Sequence, residues 1–122
     1  MTVTVTLGWP SSDLSPNARG HWAIKARAAK AYRLACAFTA REAKIGKMDA
    51  PALSATITFH PPTRHARDRD NMIASFKAGQ DGLVDVVKVD DANWVPTYRV
   101  GEVRKGGAVV VTLTPLPVGV AP

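Results

Sequence analysis

The sequence holds a single cysteine, Cys36, so no internal disulfide can form. Its apolar neighbours in "RLACAFTA" mark it as a buried thiol in a reducing compartment. No apolar run approaches the roughly 18 residues of a membrane helix. The start "MTVTVTLGWP" lacks the basic opening and continuous apolar stretch of a secretory signal. These absences predict a soluble, cytoplasmic protein with no membrane partner. Acidic residues are also scarce, 10 Asp and Glu against 16 Lys and Arg, which leaves a net charge of +6. On a domain of 122 residues such a surplus favours an anionic partner, nucleic acid above all. There are no internal repeats or low-complexity tracts, and the length suits one domain.

In "TVTVTL", residues 2–7, threonine alternates with apolar side chains, the pattern of a half-buried strand. The Pro-, Ser- and Asn-rich "GWPSSDLSPNARG" reads as an irregular loop. From His21 to Lys47 no proline appears and Gly46 is the only glycine, which predicts a long helix. At 100° per residue, Ile24, Ala31, Leu34, Ala35, Phe38 and Ile45 share an apolar arc, the expected core face, beside a basic arc of Lys30, Arg33, Arg41 and Lys44. In "ALSATITFH", residues 52–60, Leu53, Ala55, Ile57 and Phe59 form one face of a second strand. A second helix starts near Asp70. Gly79 and Gly82 weaken its far end, and the β-branched "VDVVKV" favours an extended return. "ANWVPTYRVGEVRKGGAVVVTLTP" reads as a hairpin turning around Lys105–Gly107. The expected fold is thus α/β (α+β): β-α-β-α-β-β, a small mixed sheet with two helices, covering residues 1–116. Residues 117–122 are expected to be a flexible tail.

Asp68 and Asp70 are one residue apart, so in an extended approach both carboxylates point the same way. They precede a helix, whose free N–H groups and positive dipole end favour anions. Asn71 adds a neutral oxygen and a donor, and Lys77 lies within about 20° of the Asp70 azimuth two turns on. Each piece has an ordinary explanation. Asp-x-Asp-Asn is a common helix cap, Asp90-Asp91 a polar turn and Lys77 a solvated lysine. His60 and His65 are expected as exposed residues beyond the strand, without the spacing of a zinc site, and His21 has no assigned role. Taken together, and beside the basic "PTRHARDR", the acidic corners suit a hard divalent cation such as Mg²⁺ and hydrolysis of a phosphodiester.

At these residues the chain resembles the RusA-type Holliday junction resolvases, small endonucleases common in prophages. The likeness covers most of the chain: "TLGWP", "LSPNARGHW" leading into the Ala-rich basic helix, "RDRDN", "DGL", "DDANW" and the closing "KGG". It implies a homodimeric, Mg²⁺-dependent endonuclease, with Mn²⁺ as a substitute, that resolves branched DNA by paired nicks. A four-way junction has approximate two-fold symmetry, which suits two sites related by a C2 axis. The family's essential carboxylates fall on Asp68, Asp70 and Asp91, with Asp90 as acidic neighbour, and its lysine falls on Lys77. In the family pattern that lysine stands one helical turn closer to the second aspartate. Lys30, Arg33, Arg64, Arg67 and Arg69 are the candidates for contacts to the DNA backbone. The alternative is a binding protein that holds branched DNA without cutting it.

Chain length adds one constraint. A continuous helix from Asn71 to Val87 would span about 25 Å, too far to bring Asp70 and Asp91 to one metal. Either the helix stops near Gly82 and the chain returns along it, which the valines favour, or Asp91 completes a site in the other subunit.

Overall fold

The computed structural model describes residues 1–65 and 67–117. Four strands and two helices alternate as β1 (Val3–Gly8), α1 (Trp22–Glu42), β2 (Ala52–His60), α2 (Arg69–Val87), β3 (Trp94–Val100) and β4 (Ala108–Leu116). Short 3-10 turns at Ser12–Leu14 and Asp91–Asn93 precede α1 and β3. The element order, the two helices and the mixed sheet agree with the sequence reading. The expected tail lies almost wholly outside the described residues.

The strand order is β1-β4-β2-β3. β2 and β3 are parallel, while β4 runs antiparallel to both β1 and β2. The last two strands are therefore not a hairpin, because β2 lies between them. After β3 the chain crosses the end of β2 instead. Gly101 N–H donates to the Phe59 carbonyl (2.8 Å), Arg104 N–H to the Pro61 carbonyl (3.0 Å), and His60 Nδ1–H to the Glu102 carbonyl (2.9 Å). That bond explains why His60 is buried rather than exposed. The turn expected at Lys105–Gly107 is present, with Gly106 and Gly107 at φ +79° and +75°.

Alternation along the strands holds. Val5, Leu7, Leu53, Ala55, Ile57, Phe59, Val109, Val111 and Leu113 point into the core against the helices. On the opposite face, register aligns Thr4, Thr112, Thr56 and Thr97 in one row across all four strands. The Thr4 and Thr112 hydroxyls hydrogen-bond at 3.1 Å, as do those of Thr2 and Thr114.

The helices correct the sequence reading twice. α2 does not stop near Gly82 but runs unbroken to Val87, where Lys88 takes a left-handed conformation (φ 62°) and ends it. Gly79 and Gly82 are buried where α2 meets α1. The core face of α1 is also not the predicted arc. Cys36, Ala37 and Ala40 are buried, whereas Ile24, Leu34 and Phe38 are 46%, 60% and 63% exposed. The two backbones approach so closely that only small side chains fit between them. Among the described residues, no helix is long and apolar enough to cross a membrane.

This contact reverses an ordinary substitution effect. Alanine in place of a helical glycine usually stabilises by about 1 kcal/mol. A Cβ at Gly82 would run into the Arg33 carbonyl oxygen and lie 3.2 Å from Ala37 N, both backbone atoms. Gly82→Ala is expected to destabilise by about 1–3 kcal/mol in urea unfolding. A gain in stability would show that the helices can separate at no cost.

Candidate functional site

The loop from β2 delivers Asp68 as the N-cap of α2. Its carboxylate accepts the Asp70 N–H at 2.8 Å, so the cap and the expected ligand are the same residue. One carboxylate oxygen is thereby committed, and the residue stays exposed. Asp70 sits in the first turn, exposed, where the helix dipole favours its negative charge.

The candidate arginines have different settings. Arg67 curls back to donate to the Thr63 carbonyl (2.8 Å), the His65 carbonyl (3.2 Å) and the Thr63 hydroxyl (2.8 Å). Its guanidinium lies 5.9 Å from the centre of the Trp9 ring. Arg69 donates to the Tyr98 carbonyl (2.5 Å), tying the start of α2 to β3. Arg33 is engaged in a bidentate pair with Asp85 at 2.7 and 2.8 Å, which joins α1 to α2. That pair raises the Arg33 pKa and, with the hydrogen bond as main cause, lowers that of Asp85. Arg33 is thus a structural cation as well as a DNA candidate. Arg64 and Lys30 are exposed and in no ion pair among the described residues.

Asp91 meets the middle of α2. Lys77 Nζ donates to Asp91, and also to Asp81 at 3.0 Å, while Gln80 Nε2 donates to Asp91 at 3.1 Å. Asp90 is the cap of the 3-10 turn, accepting Ala92 N–H at 2.9 Å. The Lys77 hydrogen bond holds the Asp91 carboxyl below its ordinary pKa against an opposing effect of burial. For Lys77, burial acts downward and is outweighed by the hydrogen bonds and charges of Asp91 and Asp81, so its pKa is raised. Asp81 and Gln80, neither among the candidate residues of the sequence reading, both belong to this cluster. The signal that could have found Asp81 is its i,i+4 position from Lys77.

The structure therefore divides the three candidate carboxylates. Asp68 and Asp70 share the amino end of α2, and Asp91 lies at the level of Lys77, about 10 Å further along the axis. Among the described residues, no three His, Cys, Asp or Glu side chains converge as a metal-holding group. Mg²⁺ does not need one: it is commonly held by one or two carboxylates, with water and substrate phosphates completing its shell. Asp68 and Asp70, neighbours at the amino end of α2, are the residues that could serve in that mode, and among the described residues there is no closed three-carboxylate cage.

No family model matches the sequence. A protein of Xylella fastidiosa (strain Temecula1 / ATCC 700964), named an uncharacterized protein, is 43% identical over 115 residues, 91% of this chain and 75% of that protein. The chain belongs to the same family as that protein.

The cluster around Lys77 makes a measurable claim about pH. A carboxyl with a depressed pKa in the folded state adds stability above its unfolded value, about 3.9. That stability is lost as pH falls through the lower folded value. Carboxyl carbon NMR should place the Asp91 midpoint below the ordinary range in the wild type and nearer to it in Lys77→Met. An unmoved midpoint would remove the ion pair as the cause.

Proposed function

We propose that the protein is a RusA-type endodeoxyribonuclease that nicks branched DNA in a Mg²⁺-dependent reaction. The observation that carries this reading is a corner of opposed charge. Asp68 and Asp70 stand at the amino end of α2, with Arg64, Arg67 and Arg69 in the same loop and first turn, on a chain of net charge +6. The arginines and Lys30 give the DNA backbone an electrostatic approach. The two aspartates would hold the cation. Bound there, Mg²⁺ would supply a water of lowered pKa and offset charge on the phosphate.

Asp70 and Lys77 share one azimuth of α2 within about 20°. Asp81 and Asp91 hold the Lys77 ammonium in place, and its remaining N–H would be a donor for a phosphate oxygen arriving between Asp70 and Asp91. Asp91 in this account positions Lys77. Its approach to a metal would need either a change of partner or the equivalent corner of a second subunit.

The decisive measurement is cleavage of a synthetic four-way junction with Mg²⁺. Wild type should cut and Asp70→Asn should bind without cutting. Equal cutting by both would end the assignment, and tight binding without cutting by wild type would favour the non-catalytic alternative.

The homodimer finds support in α1. Its outer face carries Ile24, Ala31, Leu34, Ala35 and Phe38 around one azimuth, with three large apolar side chains open to water. Laid antiparallel about the midpoint of Leu34 and Ala35, two copies set each Phe38 opposite Ala31 of the other copy. Each Glu42 then faces an Arg27. Large meets small and acid meets base, as a self-complementary C2 contact requires. Light scattering should find a dimer that Phe38→Glu converts to monomer. Arg27→Glu should weaken it, and adding Glu42→Arg should restore it. A wild-type monomer at tens of micromolar would exclude this contact.

A further inference from the structure

Between the loop after β1 and the first half of α2 lies a recess of about 310 Å³. This is at the small end of ligand pockets. Trp9 forms one wall, set edge-on to the buried Phe59 ring at 6.3 Å and 83°. Gly107 makes that placement possible, since a Cβ there would stand 2.7 Å from Trp9. Arg67 lies over Trp9, its planar guanidinium fixed by three hydrogen bonds to Thr63 and His65. Ser12, Asn71 and Ser75 are among the residues that supply hydroxyl and amide groups, and Asp68 also lines the recess.

The chemistry of these walls narrows the occupant. A free phosphate would meet the Asp68 carboxylate, and a simple cation would meet the Arg67 guanidinium. A flat, neutral heterocycle with donors and acceptors on its edge suits both, because its faces can stack on Trp9 or Arg67 while its edge meets serine, asparagine and aspartate. We propose that this recess takes one unstacked nucleobase of a DNA strand. A base seated here would bring its own sugar–phosphate to the rim beside Asp68. The protein would thus read one nucleotide next to the phosphate it engages, and pay only for unstacking it, which is least costly at a branch point. The position relative to a scissile phosphate rests on the nuclease reading, whereas occupancy of the recess does not.

The test uses the folded full-length chain and small probes. Amide spectra recorded with dCMP, dAMP and deoxyribose 5-phosphate should show the two nucleotides shifting Ser12, Asn71 and Ser75, with the sugar phosphate leaving them unmoved. Ser75→Leu, which fills the recess from α2 and leaves both Asp68 and Asp70 in the sequence, should lower nucleotide affinity about tenfold or more while the rest of the spectrum keeps its dispersion. Equal shifts from the sugar phosphate, no shifts from either nucleotide, or unchanged binding by Ser75→Leu would each overturn the proposal. Because no cleavage is read, a chain that binds nucleotides here and cuts no junction would keep the pocket and lose only the nuclease reading. A chain that cuts junctions with none of these shifts would do the reverse.

Discussion

The parallel pairing of β2 with β3 governs where the candidate carboxylates can be. A parallel pair needs a crossover, and α2 provides it by running back along the sheet. The amino end of α2 is therefore set at the far ends of both strands, which the Arg69 contact to Tyr98 late in β3 confirms. Whatever precedes β3 must lie towards the other end of the helix. Asp91 stands three residues before Trp94, the first residue of β3, which pairs with Leu53, so it reaches only as far as Lys77 and Gln80. The separation of the carboxylates is thus a consequence of topology. It also places the Trp9–Arg67 recess outside the carboxyl end of β2, where open α/β sheets commonly bind ligands.

The second constraint is the contact between α1 and α2. Glycine on α2 and alanine and cysteine on α1 allow backbone approach, and the Arg33–Asp85 pair closes the same seam from the outside. Burial also shapes the chemistry inside it: the Cys36 thiol is pushed up to about 11, chiefly by desolvation, so it is an inert packing group at neutral pH. With small residues inside, the large apolar residues of α1 are left facing outward.

Those two constraints explain what was legible in the sequence. Period-two alternation located β1 and β2 and their buried faces, since one side of each strand meets the core. Freedom from proline located α1. The face of α1 was misread because hydrophobic size was taken as burial, and here the closest packing selects the smallest side chains. Gly79 and Gly82 were misread for the same reason, since a glycine that breaks an isolated helix also admits a neighbouring backbone. The hairpin failed differently. Gly106 and Gly107 do turn the chain, but a turn signal is local and cannot tell that β2 occupies the place between β3 and β4. In the site, the Asp68 cap and the phase of Lys77 were readable from spacing. The partnership of Lys77 with Asp91 was not, because it depends on how the chain returns.

The cluster around Lys77 contributes little to stability. The Lys77 side chain is 56% exposed and those of Asp81 and Asp91 are 34% and 25% exposed. Pairs this open to solvent typically contribute about 0–1 kcal/mol. The packing of Gly82 against α1 is under a stronger constraint than the whole cluster. Yet the fold holds two carboxylates on one lysine, in line with Asp70, on a chain that is otherwise cationic. Such an arrangement fixes one ammonium in direction at small cost. It also leaves that ammonium accessible, so a phosphate can approach it from solvent without unfolding anything. A buried pair would be better shielded from salt and would lose that access. An open pair of this kind can exchange partners without any change in the fold.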